Sequence, residues 1–293
     1  MQRLILTIFS LMFLSTATAQ VQIVTSIKPL QLIAQAIQGD HGQVHNLLPP
    51  GSSPHSFSLR PSDRRLLVQA DLFYWIGPDM ENFLINIAAD NSASRAVQNI
   101  SGLHLLYYGD EQHDHHNHDH EHAADSLDSH LWLAPENALV IARHITADLI
   151  ALDSSNADSY HDNLISFEQS LQAADQQIRD LLKPLRQRQF FVFHESLNYF
   201  EHSYQLQHAD VFAINPEIQP GARHLQQMHQ QLQQAGASCI LTEPPAPPRI
   251  VTSLSKDLPV TVQQVDVLGH QAANYPQLLL EIAQNMAKCW QDR

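Results

Sequence analysis

Short apolar runs rich in β-branched and aromatic residues alternate along the chain with stretches whose apolar positions recur every three or four residues. "VQIVTSI" (21–27) predicts a strand and "PLQLIAQAIQG" the helix after it. "VHNLLPP" predicts a second strand, and "RPSDRRLLVQA" a helix opened by Pro61 and Ser62. "DLFYWIG" (71–77) predicts a third strand, "MENFLINIAAD" a helix and "RAVQNI" a fourth strand. The alternation returns near the middle of the chain, with strands "QFFVFH" (189–194), "ADVFAIN", "SCILTE" and "VTVQQVDVLG". The helices "LNYFEHSY", "GARHLQQMHQQLQQAG", "PRIVTSLSKDL" and the segment from Tyr275 onward fall between and after them. Strands alternating with helices argue for parallel sheets covered by helices.

Two helical patterns separate these sets. "PENALVIARHITADLIALD" (135–153) has Pro135 in its first turn. Residues 154–185 contain no glycine and no proline before Pro184, and Leu164, Phe167, Leu171, Ala174, Ile178 and Leu181 fall on one helix face. Such a helix is on the order of 40 Å long, enough to cross a domain. The expected fold is α/β, with two lobes, each a mostly parallel sheet flanked by helices, joined by one long rigid helix. Residues 20–153 form the N-terminal lobe, 154–185 the linking helix and 186–293 the C-terminal lobe. No strong internal sequence repeat accompanies this division.

The first residues change the setting. "MQRLILTIFSLMFLSTATAQ" has an early arginine, an apolar stretch and a small-residue end, the order of a secretory signal peptide. Cleavage is expected after Ala19, and the apolar run is shorter than the about 20 residues a bilayer requires. No lipobox cysteine follows, so the expected compartment is a periplasm. Charged residues make up 16% of the chain and the formal charge is −14, which argues against nucleic acid as a partner. Cys239 and Cys289 are the two cysteines. An even count in an oxidising compartment points to a disulfide, stapling the last helix to a strand, over two separate buried thiols.

Histidine is abundant, at 19 residues. Six of these, His113, His115, His116, His118, His120 and His122, lie in "EQHDHHNHDHEH" (111–122), a run without apolar side chains. Three others stand apart by context. His55 lies in "LLPPGSSPHSFSLRPSD", after a strand and before a helix; His130 lies in "LDSHLWLAPENA", before a helix; His194 closes "FFVFH". Ligands in open α/β sheets sit beyond the carboxyl ends of strands. Two histidines from one lobe and one from the other could therefore meet in a cleft and hold Zn2+. The fourth place in a tetrahedron falls to a carboxylate or to water, and Asp266, in "VQQVDVLGH", is the candidate carboxylate.

The stretches "GSSPHSFSLRPSD", "DSHLWLAPENA", "FFVFHESLNYFE", "NPEIQPGARHL", "CILTEPPAPP" and "VDVLG" resemble, in order, the motifs of ZnuA-type periplasmic zinc-binding proteins, the metal receptors of ABC importers. The resemblance spans nearly the whole chain after residue 19. It implies two α/β lobes joined by a long helix, with Zn2+ between them on His55, His130 and His194. It also implies a Cys239–Cys289 disulfide, a metal-handling loop at 109–124 and an inner-membrane ABC permease as partner, with no catalysis. A monomer is expected. Pro54 stands where some relatives carry a ligating glutamate, which leaves Asp266 or water for the fourth place. A histidine at 194 favours zinc over manganese, because imidazole suits Zn2+ and oxygen suits Mn2+.

The loop offers many interchangeable ligand sets, which gives weak sites and not one shaped site. Tight binding needs ligands fixed by a scaffold. The loop is thus expected to collect zinc while the three histidines hold the transported ion. Two rival functions fit parts of the same sequence. A zinc-storing or adhesion protein would bind chiefly through the loop. A zinc hydrolase would need more chemistry than the chain offers: "HESLN" begins like H-E-x-x-H, but Asn198 fills the second histidine position, leaving Glu195 as a lone candidate base, and no G-x-S-x-G motif is present. Ligating imidazole must be neutral, so zinc affinity is expected to fall below roughly pH 6.

Overall fold

In a computed structural model of the chain, residues 20–108, 126–213, 221–244 and 249–291 are described. The expected signal segment, 1–19, and the expected metal-handling loop at 109–124, with His113, His115, His116, His118, His120 and His122, lie outside the described residues. The first half runs β1 (Val21–Thr25), α1 (Lys28–Gln38), β2 (Gly42–Asn46), α2 (Pro61–Gln69), β3 (Leu72–Trp75), α3 (Ile85–Ala89) and β4 (Ser94–Ala96). Next come α4 (Pro135–Leu152) and the long α5 (Ala157–Leu182). The second half runs β5 (Phe190–His194), α6 (Asn198–Tyr204), β6 (Val211–Ala213), α7 (Ala222–Ala235), β7 (Ser238–Thr242), α8 (Arg249–Leu254), β8 (Val260–Gln264) and α9 (Tyr275–Gln291).

Each half builds one four-stranded, all-parallel sheet, in the orders β2-β1-β3-β4 and β6-β5-β7-β8. The two orders are the same topology used twice, a repeat that the sequence conceals. Every residue of β3, β5 and β7 is buried. That explains why "LFYW", "FFVFH" and "SCILT" read as near-continuous apolar runs, since a parallel sheet is covered on both faces. The outer strands β2 and β8 carry more polar residues and are only partly buried.

Helix starts follow the expected chemistry. Pro29, Pro61 and Pro135 occupy first-turn positions of α1, α2 and α4, where a missing N–H costs nothing. α5 buries Tyr160, Phe167, Leu171, Ala174, Ile178 and Leu182. It packs along α9 and against α4 and α1, so one helix touches both halves of the molecule. Each of its large apolar side chains stabilises by about 1.5–3 kcal/mol on burial. The disulfide between Cys239 on β7 and Cys289 on α9 is formed, with Cα atoms 5.8 Å apart. Among the described residues, no helix is long and apolar enough to cross a membrane.

Several elements are shorter than the sequence pattern predicts: the strand in "VHNLLPP" ends at Asn46 and the helix in "PRIVTSLSKDL" covers Arg249–Leu254. "RAVQNI" gives a three-residue edge strand that turns into a 3-10 helix at Val97–Asn99. "MENFLINIAAD" divides into a 3-10 turn, Asn82–Leu84, and the short α3. "VTVQQVDVLG" stops being a strand at Gln264, because Asp266 organises a turn described below.

Candidate metal centre

His194 is the last residue of β5, and Glu243 immediately follows β7. These two strands are neighbours, and the chain leaves β5 for β6 on one side and arrives from α7 into β7 on the other. The crevice at such a reversal of strand order is where α/β sheets bind ligands. His55 arrives from the opposite half on the loop between β2 and α2, and His130 immediately precedes a 3-10 turn, Leu131–Leu133, that leads into α4.

The three rings form a nearly equilateral triangle. Their centroids are 5.6 Å apart for His55 and His130, 5.3 Å for His55 and His194, and 5.1 Å for His130 and His194. One ligand nitrogen from each lies within 4.8 Å of the other two, within reach of one ion. His130 and His194 are 3% and 6% exposed, while His55 is partly exposed and forms the outer side.

The buried pair is held by carboxylates. His130 Nδ1 lies 2.8 Å from Asp128 Oδ1, which also accepts the His130 backbone N–H at 3.0 Å. His194 Nδ1 lies 3.0 Å from Glu243 Oε1, which accepts the Ser196 hydroxyl at 2.7 Å. A carboxylate only accepts, so each Nδ1 carries the proton and each Nε2 keeps its lone pair for a metal. Burial alone would raise the Glu243 carboxyl. Positive charge at the His194 and His130 rings, which a bound dication would supply in place of a ring proton, together with the hydrogen bonds of His194 and the Ser196 hydroxyl, outweighs it and holds the group at about 2. Two carboxylates thus stand behind the imidazoles, the arrangement that compensates a buried dication.

A further shell fixes Asp128. Its N–H donates to the Leu106 carbonyl and its own carbonyl accepts the Tyr199 hydroxyl at 2.9 Å, tying the His130 segment to α6. Trp132 packs 5.4 Å from the His130 ring, and its indole N–H donates to the Val267 carbonyl in the second half. The Tyr275 hydroxyl donates to the Trp132 carbonyl. The floor of the cleft is therefore one bonded unit spanning both lobes.

Asp266 does not join the three histidines. Its oxygens accept the backbone N–H groups of Leu268, Gly269 and His270 and face the His270 Nδ1 at 3.0 Å. The turn requires Gly269, which has φ +60°, and a Cβ there would come within 2.3 Å of Leu278. His270 in turn accepts the Gly51 N–H through Nε2 at 3.2 Å. Asp266 thus acts on the His55 loop through His270. Glu195 lies outside the histidine group as well, with its carboxylate toward Asn198.

Asp128, Glu243, Trp132 and Tyr199 were not singled out from the sequence. Glu243 had a readable signal, a carboxylate directly after a buried strand in "SCILTEPP", the same position His194 occupies on its strand. Asp128 had none beyond its place two residues before His130.

Over residues 23–289 the chain matches the family described as "Zinc-uptake complex component A periplasmic". It is 36% identical over 267 residues to the high-affinity zinc uptake system protein ZnuA of Yersinia pestis, covering 86% of this chain and 84% of that protein. To the protein of the same description from Haemophilus ducreyi it is 33% identical over 294 residues, covering 94% of each. Its fold is similar to a crystal structure of ZnuA, with a TM-score of 0.78 at 25% identity over 92% of this chain and 99% of that one. A ZnuA deletion mutant with zinc bound gives 0.77 at 26% identity over 92% and 98%.

Proposed function

Because the chain belongs to the ZnuA family of zinc-uptake components, we propose that it captures Zn2+ with high affinity in the periplasm and delivers it to an inner-membrane ABC permease. The observation that carries this reading is the buried triangle of His55, His130 and His194, two of whose rings are backed by carboxylates. That is a rigid, pre-oriented set of borderline nitrogen ligands suited to zinc. We assign the fourth position to water, since Pro54 offers no carboxylate and Asp266 is engaged in its own turn. An exchangeable ligand on the partly exposed His55 side suits a protein that must also release its cargo.

The export signal at 1–19, a monomeric state and the lobe boundaries at 153 and 185 belong to the same proposal. So does a division of labour in which the loop 109–124 gathers zinc loosely and the cleft holds one ion tightly. The family supports a receptor; among the described residues, the two carboxylates behind the rings, Asp128 and Glu243, are both engaged by histidine Nδ1.

The test is a zinc titration against a competing chelator, comparing the mature chain with His55→Ala/His130→Ala/His194→Ala and with a deletion of 111–122. The triple variant is expected to lose one tight site and the deletion to keep it. Equal binding by the triple variant and the unaltered chain would transfer the function to the loop, as the storage reading requires.

A further inference from the structure

A second group of ligating side chains lies on the surface, away from the cleft. His104, Glu136 and His202 each offer a ligand atom within 4.8 Å of the other two. We infer that these three residues form a second site for a zinc-class divalent cation, one that bridges the two lobes.

The three come from three separate elements. His104 lies in the segment between the 3-10 helix Val97–Asn99 and Tyr107, Glu136 in the first turn of α4, and His202 on α6 of the second half. Their convergence is built into the fold. Asn137, fully buried, clamps the His104 backbone from both sides: its Oδ1 accepts the His104 N–H and its amide donates to the His104 carbonyl, both at 2.8 Å. Two residues on, the Leu106 N–H donates to the Tyr199 hydroxyl at 2.9 Å. Tyr199 lies one helical turn before His202 on α6, so the same tie brings His202 beside His104.

The spacing between the groups suits an ion better than a direct bond. The His104 and His202 rings have centroids 4.8 Å apart at 51°. His104 Nδ1 and Glu136 Oε1 are 4.0 Å apart, too far for a hydrogen bond. Zinc binds nitrogen and carboxylate oxygen at about 2.0–2.2 Å, so two atoms sharing one ion can stand up to about 4 Å apart. Ser203 Oγ lies 3.5 Å from the other Glu136 oxygen but gives its proton to the Tyr199 carbonyl at 2.8 Å. Two imidazoles and one carboxylate select Zn2+ and its borderline neighbours over Mg2+ or Ca2+, which take oxygen shells. The exposure of all three residues leaves coordination positions to water. The site is therefore weaker and more exchangeable than the buried triangle.

The experiment uses the full mature chain. Crystals grown with excess Zn2+ are measured at the zinc absorption edge, which reports position independently of any ions on the loop. A peak is expected between His104, Glu136 and His202, in addition to one in the cleft, and it is expected to vanish in His202→Gln. In solution, the zinc count of the unaltered chain is compared with that of His104→Gln/His202→Gln, in which the loop and cleft are the same. The variant is expected to bind one ion fewer and to keep the tightest site. A map with zinc in the cleft and none at the surface group, or equal counts for the two chains, would overturn the inference. An empty cleft would instead count against the proposed function, so the two failures are distinguishable.

Discussion

At the scale of single residues, the proposed zinc site separates groups placed to touch the ion from groups that aim them. Glu243→Gln keeps the shape of the side chain but removes the charge behind His194, and is expected to weaken zinc binding about 10–100-fold. Asp266→Asn is expected to change it far less, because Asp266 works on a turn and on His270. Chelator competition on both variants decides this, and a larger loss in Asp266→Asn would place that carboxylate on the metal. The three histidines were legible because each stands at a strand end or directly before a helix, where α/β chemistry collects. Asp266 satisfies the same rule, yet the structure places it in a turn apart from the three histidines. Aspartate two residues beyond a strand also accepts the N–H groups of a tight turn, and nothing in "VDVLGH" distinguishes the two uses.

At the scale of elements, α6 and the segment after it carry a polar pair of their own. His208 faces the Glu201 carboxylate at 2.9 Å and is largely buried. Burial would lower its pKa, but the charge and hydrogen bond of Glu201, with Glu195 and Asp210 nearby, raise it to about 9. A histidine raised above its unfolded value of about 6.5 stabilises the fold fully below that pH and loses the contribution as pH rises through the folded value. The shift corresponds to stabilisation on the order of 3 kcal/mol. Urea unfolding of His208→Gln against the unaltered chain should thus show a wide gap at pH 6 that closes by pH 10. A gap independent of pH would mean that packing, and not charge, is what His208 supplies. The strands β1, β3, β5 and β7 were legible from their apolar runs, since each is buried on both faces. Edge elements were less so. β4 is three residues long because "RAVQNI" bends as the Gln98 N–H turns to the Ile76 carbonyl, a tertiary bond that periodicity does not report.

At the scale of the whole molecule, the two halves are joined by more than a connector. α5 packs on elements of both, Trp132 bonds across to Val267, Tyr275 bonds back to Trp132, and His270 takes the Gly51 N–H. Hinged closure needs a few residues free to absorb the rotation, and these bonds cross the place where such a hinge would act. Zinc loading is therefore expected to change the radius of gyration in solution scattering by less than about 1 Å, with the movement confined to loops such as the one that carries His55. A contraction of several ångströms would contradict the fixed floor of the cleft. The linking helix was legible at this scale, because an unbroken apolar face with no glycine can do little else. The duplicated sheet order was not, because topology is conserved by strand pairing and leaves no sequence periodicity behind. The pairing of Cys239 with Cys289 also has a meaning for how the chain comes to be built. Thiolate binds zinc more avidly than imidazole, and an unfolded chain with nineteen histidines and two free thiols would offer stray ions a trap before any cleft exists. Oxidation withdraws the two sulfurs from that competition. A protein that handles zinc for a living can then fold in its presence, with nitrogen and oxygen as the ligands left for the ion to choose among.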